Sequence, residues 1–305
     1  MRTSPATPLE PAPAVLSAGR PLFLKREDTH ELGAFKWRGA LPTLEGYRAE
    51  GVDGVVTAST GNHGAATAWA ARRLDMRAVV FAPPDASSRK LAIVEEQGAE
   101  LRLAGSDFDE AKDAAREFAD AEALRFFEDG RERAQYDGYR TIAAEVLDQL
   151  DEAPGAMIVP VGNGALLGGI GLELCDRSPD TARVGVVPKA APVMAESWEA
   201  GEAFTGSSAD TIADGLAVRV AIPLAVAVLG EVASRMVLVS ERAMAEAMTA
   251  FADAGITVEP SAAASLAAAS HVDDVDGPIV LVVTGRNVDD ALLARAREQP
   301  DSFSD

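Results

Sequence analysis

A lysine between two aromatic residues is the part of this sequence best suited to covalent chemistry. The segment "LGAFKWRGA" places Lys36 between Phe35 and Trp37. Burial against aromatic rings disfavours an ammonium group, and a neutral amine can attack a carbonyl to form a Schiff base. The structural alternative packs the stem of Lys36 on Trp37 and leaves its charge in solvent. The chain has few other lysines: Lys25, Lys90, Lys112 and Lys189.

The segment "TASTGNHG", residues 57–64, has the features of an anion-binding loop. It lies between a predicted strand and a predicted helix, where small residues leave backbone N–H groups open to a negatively charged group. Ser59, Thr60 and Asn62 add polar side chains. An ordinary strand–helix turn capped by Ser or Thr would contain the same residue types, and it is the alternative here.

A second glycine-rich segment, "VGNGALLGG" at residues 161–169, also joins a predicted strand to a helix. Gly162 and Gly164 would let the backbone approach a phosphate closely. A dinucleotide site is disfavoured because the spacing from Gly164 to Gly168 is one residue too long. In addition, Val187 ends the next predicted strand, where a ribose-binding acid would be needed.

Thr284, in "VVTGRN", ends another predicted strand and could equally be an ordinary turn residue. In α/β sheets, however, ligands bind at the carboxyl ends of the strands. The amine of Lys36 suits an aldehyde, the loop at residues 162–166 suits a phosphate, and the hydroxyl of Thr284 suits a ring nitrogen. Pyridoxal phosphate is one ligand that has all three groups.

The order of the predicted elements indicates an α/β fold with two doubly wound parallel-sheet domains. A first series of strands is predicted in "GVVTA", "RAVVFAP", "AELRLA" and "LRFFE", and a second in "AMIVPV", "ARVGVV", "RMVLVS" and "PIVLVVT". Helical patterns separate them. We predict a discontinuous large cofactor-binding domain, residues 1–40 and 139–305, and a small domain, residues 41–138, with the substrate-carboxylate loop. The second boundary falls in the charged turn "EDGRERAQYDG".

Composition narrows the partners and the compartment. The 305 residues carry a formal net charge of −20, which argues against binding to nucleic acid or to an anionic membrane. The acidic surplus, with arginine in place of lysine, favours a halophilic protein over one with a plain acidic surface. A single cysteine, Cys175, rules out an intrachain disulfide and favours the reducing cytoplasmic compartment. We predict neither a signal peptide nor a spanning helix.

Taken in order, the motifs "LKRED", "GAFKWRGA", "STGNHG", "VGNGALLGG", "TIADGLAV" and "TGRN" resemble the fold type II pyridoxal-phosphate enzymes. That group includes threonine and serine dehydratases, serine racemase, threonine synthase and tryptophan synthase β. The resemblance covers almost the whole chain and implies a tryptophan synthase β-like fold with the cofactor between two domains. Two residues depart from it, since Arg286 stands where the family has a glycine and Ala34 where it has a serine.

The resemblance also implies a role for each motif residue. Lys36 would carry the cofactor and act in catalysis, Asn62 would bind its ring hydroxyl, and Thr284 would face its pyridine nitrogen. The residues that would hold the phosphate are Gly162, Asn163, Gly164, Ala165 and Leu166. Those that would hold the substrate carboxylate are Ser59, Thr60, Gly61 and His63.

The chemistry that follows is the elimination of a β-hydroxyl. Lys36 would remove the α-proton as a general base. The hydroxyl of Thr284 cannot hold a full positive charge on the ring nitrogen, which weakens the electron sink and favours loss of the β-leaving group. The predicted enzyme is an L-threonine or L-serine ammonia-lyase that gives a 2-oxo acid and ammonia. No extension follows the last predicted helix, so we expect no feedback control of the kind found in long biosynthetic dehydratases.

Three alternatives remain open. "GITVEPSAAASLAA" is more similar to threonine synthase, which would act on O-phosphohomoserine. A serine or threonine racemase would use Thr60 as a second catalytic acid–base. A pseudoenzyme would bind pyridoxal phosphate or an amino acid without turnover. For any of these we expect a homo-oligomer, most simply a dimer.

No metal site is predicted. Many relatives bind a divalent cation through acids just after the strand that here is "ARVGVV", but no acid occurs between Arg183 and Ala195. Three scattered histidines and one cysteine also disfavour a structural zinc site. Backbone carbonyls could still hold a monovalent ion.

Overall fold

The structure is a computed structural model that describes residues 5–17 and 19–305. It separates into two compact units. The larger contains the described residues up to Gly33 together with Tyr139–Asp305, and the smaller is Ala34–Gly138. Lys36 therefore belongs to the smaller unit, whereas the sequence assigned residues 1–40 to the large domain.

Within the described residues the strands are β1 (Leu9–Pro11), β2 (Leu22–Arg26), β3 (Gly54–Ala58), β4 (Arg77–Ala82), β5 (Glu100–Leu103), β6 (Arg125–Phe126), β7 (Ala156–Pro160), β8 (Ala182–Pro188), β9 (Arg235–Val239) and β10 (Ile279–Val283). The α-helices are α1 (Ala14–Ser17), α2 (Trp37–Ala49), α3 (Asn62–Arg73), α4 (Ser88–Glu96), α5 (Phe108–Ala121), α6 (Arg133–Gln149), α7 (Ala165–Arg177), α8 (Val193–Ala200), α9 (Pro223–Val232), α10 (Glu241–Asp253), α11 (Pro260–Ala267) and α12 (Asp290–Glu298). None of these helices is long and apolar enough to cross a bilayer.

The larger unit is built on a six-stranded sheet in the order β1-β2-β10-β7-β8-β9. All neighbouring strands are parallel except β1, which pairs antiparallel with β2. Strands β7 and β10 are buried along their whole length, as expected for a parallel sheet covered on both faces. Because β10 and β7 are adjacent, the segments that follow them emerge at the same carboxyl edge.

The smaller unit has a four-stranded parallel sheet in the order β5-β4-β3-β6. Its central strand β3 is fully buried and pairs with both β4 and β6. Helix α3 leaves the carboxyl end of β3 and buries Trp69 completely. The sheet therefore positions the loop at residues 59–61 at its carboxyl edge.

The predicted α/β fold with two parallel-sheet units is confirmed, and each predicted strand is present within one or two residues. The turn predicted at "EDGRERAQYDG" is wrong in its second half, because α6 begins at Arg133. Gly138 lets α6 pack closely on α2, since a Cβ there would lie 1.9 Å from the carbonyl oxygen of Arg38 in α2. Helix α2 was not predicted, and Pro42 in its interior obscures its pattern.

Candidate active site

Lys36 lies directly before helix α2, and its amine faces a carboxylate. Lys36 Nζ donates a hydrogen bond to Asp129 Oδ2 at 2.5 Å, and the two groups form a salt bridge. The Lys36 side chain is 16% exposed, and its Nζ lies 5.0 Å from the centroid of the Phe35 ring.

The second aromatic neighbour, Trp37, packs the helices of the smaller unit. Its ring meets that of Trp69 in α3 edge to face, with centroids 6.1 Å apart. The guanidinium of Arg38 lies 4.7 Å from the Trp37 ring, in a cation–π contact. The aromatic pair that flanks Lys36 in the sequence thus has two tasks, since Phe35 lies beside the amine and Trp37 anchors α2 on α3.

Asp129 is a site residue that sequence analysis missed. Its Oδ2 accepts the hydrogen bond from Lys36, and its Oδ1 accepts one from Gln135 Nε2 at 2.8 Å. His63 Nδ1 lies 3.5 Å from the same Oδ1. Burial by itself would raise the pKa of Asp129, but the charge of Lys36 and these hydrogen bonds lower that pKa to about 2. Asp129 is therefore a carboxylate at neutral pH.

His63, in the first turn of α3, is buried and neutral at pH 7. Burial lowers its pKa below the ordinary value of 6.5, although the nearby Asp129 carboxylate opposes that shift. Its Nε2 lies 3.0 Å from Thr57 Oγ1, which donates its own proton to the carbonyl oxygen of Phe127 at 2.7 Å. The ring therefore contacts Thr57 through Nε2 and faces Asp129 through Nδ1.

The loop after β3 is held by Ser59. The Oγ of Ser59 accepts hydrogen bonds from the backbone N–H groups of Gly61 at 3.1 Å and Gly64 at 2.9 Å. The loop also packs on helix α4, because a Cβ on Gly61 would lie 2.8 Å from Lys90 Cδ. Since the first N–H groups of a helix have no acceptor within it, the start of α3 offers donors to an anion.

The predicted substrate residues lie together between β3 and the first turn of α3 in the smaller unit: Ser59, Thr60, Gly61 and His63. Asn62, the predicted contact of the cofactor's ring hydroxyl, lies among them. Thr60 and Asn62 are half-buried and the other three are buried. The Ser59 hydroxyl accepts hydrogen bonds from the loop itself, and the His63 ring contacts Thr57 and Phe127. For these two residues, a role toward substrate would fall to the backbone or to the shape of the loop.

The glycine-rich loop of the larger unit connects β7 to helix α7. Gly164 adopts the left-handed conformation, with φ of +93°, just before the helix begins. Asn163 Oδ1 accepts a hydrogen bond from Ala165 N at 3.1 Å, which orders the turn. A Cβ on Gly162 would lie 2.4 Å from the carbonyl oxygen of Gly215, in the "TIADGLAV" segment. Only glycine fits at this close approach.

Thr284 follows β10 directly, at the carboxyl edge that it shares with the loop after β7. It is only 2% exposed, and its Oγ1 has no hydrogen-bond partner among the described residues. The hydroxyl of Ser261, in α11, is likewise buried without a partner in the described chain. A buried hydroxyl without a partner costs stability. A ligand that forms hydrogen bonds with the hydroxyls of Thr284 and Ser261 would remove that cost.

Arg286, the departure from the family pattern, has a structural contact. Its Nη1 donates to the carbonyl oxygen of Asp28, and its backbone N–H donates to the carbonyl oxygen of Gly33 at 2.9 Å. Next to it, Asn287 Nδ2 donates to the carbonyl oxygen of Leu32 at 2.9 Å. These bonds tie the segment after β10 to the segment after β2 within the larger unit.

Comparison with known families identifies the chain. A family model described as "Pyridoxal-phosphate dependent enzyme" matches residues 3–285. The chain belongs to this family. Its relatives include the L-threonine ammonia-lyase of Geobacter sulfurreducens, which is 32% identical over 89% of this chain and 68% of the relative. They also include the biosynthetic L-threonine dehydratase of Mycobacterium tuberculosis, which is 35% identical over 93% of this chain and 68% of the relative.

Solved structures of pyridoxal-phosphate enzymes have the same fold. The processed threonine deaminase isoform 2 of Solanum lycopersicum superposes with a TM-score of 0.90 at 31% identity, over 96% of this chain and 87% of that one. Maize serine racemase superposes with a TM-score of 0.87 at 26% identity, over 97% of this chain and 93% of that one. The predicted family, fold and cofactor are confirmed.

The residues present fit pyridoxal phosphate. The hydroxyl of Thr284 is a buried polar group without a partner in the described chain, so it can form a hydrogen bond with a ring nitrogen. The loop at Gly162 and Gly164 has no room for side chains and ends at the start of a helix, which suits a phosphate. Lys36 supplies an amine that is partly exposed.

Two features could not be found from sequence motifs. Asp129 and Gln135 lie in the segment that the sequence analysis treated as a charged boundary turn, and their charge pattern resembles that of a solvated surface.

The described residues contain no cluster of three or more His, Cys, Asp or Glu side chains that could hold a metal ion. Pyridoxal-phosphate enzymes carry their electron sink in the cofactor itself.

Proposed function

We propose that this pyridoxal-phosphate enzyme removes the β-hydroxyl and amino groups of L-threonine or L-serine, giving a 2-oxo acid and ammonia. The observation that carries the proposal is the buried hydroxyl of Thr284 beside the phosphate-type loop. A neutral hydroxyl cannot hold a full positive charge on a ring nitrogen, so it favours prompt loss of a β-leaving group. Relatives named L-threonine ammonia-lyase and L-threonine dehydratase, at 32% and 35% identity, support the same activity.

The cofactor contacts that we propose come from four places in the sequence. Lys36 would attach the cofactor, Asn62 would donate to its ring hydroxyl, and Thr284 would face its ring nitrogen. The residues that would hold its phosphate lie at and just before the start of α7: Gly162, Asn163, Gly164, Ala165 and Leu166. When bound, pyridoxal phosphate supplies an aldehyde and an electron sink.

The chain's own residues then bind the substrate and move one proton. Backbone N–H groups at the start of α3, with the loop of Ser59, Thr60 and Gly61, hold the substrate carboxylate. Lys36 Nζ, as a neutral amine, takes the α-proton and becomes an ammonium group. His63 is neutral and buried, so it adds no charge to the carboxylate site through its ring.

We also propose the roles of the two parts of the chain. The larger part provides the phosphate loop and Thr284, and the smaller part provides the substrate-carboxylate loop. The sequence-based boundary of this division, at residues 40 and 138, stays a prediction.

The substrate is tested by incubating the protein, loaded with pyridoxal phosphate, with L-threonine, L-serine and O-phosphohomoserine in turn. We expect 2-oxobutanoate and ammonia from L-threonine, pyruvate and ammonia from L-serine, and no phosphate. Release of phosphate with formation of threonine would identify a threonine synthase. Interconversion of L- and D-serine without 2-oxo acid would identify a racemase. No turnover of any of these would favour a binding protein without activity.

Salt adaptation, a cytoplasmic location and a dimeric state are also part of the proposal. With 48 acidic and 28 basic residues, the net negative charge of the protein repels itself at low ionic strength. Salt screens this repulsion, because the Debye length falls to about 3 Å at 1 M salt. The melting temperature should therefore rise from low salt into the molar range. A melting temperature that stays flat across that range would remove the halophilic assignment, and sedimentation equilibrium would test the dimer.

A further inference from the structure

Asp129 has no role in the proposed chemistry, yet it is the carboxylate that contacts the lysine. Its Oδ2 lies 2.5 Å from Lys36 Nζ. We propose that Asp129 is a positioning residue that docks the Lys36 amine as an ammonium group in the cofactor-free protein and after Lys36 has taken the α-proton. The inference rests on the proposed role of Lys36.

The carboxylate is held ready for this task by its neighbours. Gln135 Oε1 accepts hydrogen bonds from the backbone N–H groups of Gly130 at 2.8 Å and Glu132 at 3.4 Å. The Gln135 amide is therefore fixed with its NH₂ group toward Asp129 Oδ1, to which it donates at 2.8 Å. With Oδ1 bound in this way, Oδ2 is left directed at Lys36. Backbone N–H groups of the same turn therefore hold Gln135, and Gln135 holds the Asp129 carboxylate.

His63, the other titratable group beside Asp129, does not provide a second positive charge. His63 Nδ1 lies 3.5 Å from Asp129 Oδ1, and its Nε2 lies 3.0 Å from Thr57 Oγ1. Burial lowers the pKa of His63, so a second positive charge beside Asp129 is disfavoured at neutral pH. Lys36 is thus the group that supplies the positive charge to this carboxylate.

Further charged and titratable groups near Asp129 have other partners. Glu128, the preceding residue, pairs with Lys112 at 2.6 Å, Arg131 at 2.9 Å and Arg116 at 3.0 Å. Tyr136 Oη donates to the carbonyl oxygen of Gly130 at 3.0 Å, and burial together with the charge of Asp129 raises its pKa. The tyrosine therefore stays neutral, and Glu128 forms a separate ion-pair cluster that can serve as a control.

The proton balance is simple. When Lys36 takes the α-proton, a substrate C–H bond breaks, an N–H bond forms on Nζ, and the electron pair stays with the substrate carbon. Asp129 receives no proton and remains a carboxylate. Its effect is to hold the new ammonium group at one place, so that the same proton and the same amine are available for the return step.

The test labels lysine amines in the cofactor-free protein with acetic anhydride, which reacts only with neutral amines, and measures each lysine by mass spectrometry from pH 6 to pH 10. With five lysines in the chain, each peptide is distinct. In Asp129→Asn the Lys36 profile should move to lower pH, and labelling at pH 8 should rise on the order of 10-fold, equivalent to one unit of pH. Asp129→Glu should remain close to wild type.

Glu128→Gln is the matched control, because it removes the adjacent carboxylate. It should increase the labelling of Lys112, its ion-pair partner, and leave Lys36 unchanged. If Asp129→Asn fails to fold, Gln135→Leu, which frees the carboxylate from its support, should still raise Lys36 labelling about twofold, a shift of a few tenths of a pH unit. Unchanged Lys36 labelling in the folded variant would overturn the proposal.

A second readout separates this inference from the proposed function. In the loaded enzyme, Asp129→Asn should lower kcat and shift its pH profile while KM changes little, since substrate contacts are intact. Labelling that changes as expected in a protein that turns over neither L-threonine nor L-serine would leave the dock in place and reject the function. Turnover of L-threonine or L-serine with unchanged Lys36 labelling in Asp129→Asn would support the proposed function and reject the role of Asp129.

Discussion

Two lysines close in sequence, Lys25 and Lys36, have opposite environments. Lys25 lies in β2 and is completely buried, and its Nζ donates to the carbonyl oxygen of Thr7 at 2.7 Å, Glu145 Oε2 at 2.6 Å and Gln149 Oε1 at 3.1 Å. Lys36 is 16% exposed and has a hydrogen bond to Asp129. An ammonium group has three donors, so Lys25 is saturated and Lys36 is not.

The difference separates a structural lysine from a chemical one. Three acceptors occupy all three donors of the Lys25 ammonium group, which has no lone pair to attack a carbonyl. Lys36 Nζ has one acceptor among the described residues, so its other two donor positions are not occupied by a described protein group. The lysine that the aromatic motif selected is therefore also the one whose contacts allow reaction.

The largest expected effect comes from removing the chemical lysine. Lys36→Ala should lower turnover of L-threonine by about 10³-fold or more, because the base and the point of cofactor attachment are lost together. Its melting temperature without cofactor should fall as well, because Asp129 loses the cation that pairs with it. An alanine variant with wild-type turnover would remove the distinction between the two lysines.

Removing the structural lysine should do the opposite. Lys25→Met leaves Glu145 and the Thr7 carbonyl without their cation, which should cost about 2–3 kcal/mol of unfolding free energy, less than a fully buried pair because Glu145 is 18% exposed. Turnover per folded molecule should be retained. Arg177→Met, which breaks exposed pairs with Asp148 and Glu173, should leave the unfolding free energy almost unchanged in the same urea titration.

Two buried threonines extend the comparison from amines to hydroxyls. Thr284→Val removes a hydroxyl without a partner in the described chain, so the cofactor-free protein should be unchanged or up to about 1 kcal/mol more stable. Its affinity for pyridoxal phosphate should fall about tenfold, or 1.4 kcal/mol, for one lost hydrogen bond.

Thr57→Val is the control, because Thr57 Oγ1 contacts both Phe127 O and His63. It should destabilise the cofactor-free protein by about 1–2 kcal/mol. Equal stability effects at the two positions would show that the hydroxyl of Thr284 has a partner after all.

The smallest expected effect is the dependence of stability on acidic pH through Asp129. The pKa of Asp129 is about 2, below its ordinary 3.8, so its carboxylate contributes stability above pH 4 that is lost as pH falls toward 2. The difference in unfolding free energy between wild type and Asp129→Asn should therefore shrink between pH 6 and pH 3.5, at fixed ionic strength. A difference that stays constant over this range would mean that Asp129 does not interact with charge in the folded protein.

Local sequence signals predicted those parts of the molecule that depend on local physics. Buried parallel strands such as "GVVTA" and "AMIVP" are continuous apolar runs, and the glycine loops follow them directly. Helix α9 was missed because "PLAVAVLGEV" is apolar on all sides and rich in valine, which is equally typical of a strand. Asp129 was missed because its contact with Lys36 joins residues 93 positions apart, which a motif does not show.

The most direct test of the account is to find which lysine carries the cofactor. The protein is loaded with pyridoxal phosphate, reduced with borohydride, digested and analysed by mass spectrometry. The account predicts a single modified peptide, the one that contains Lys36. Modification of Lys25, Lys90, Lys112 or Lys189 instead, or bound cofactor that borohydride fixes to no lysine, would contradict it.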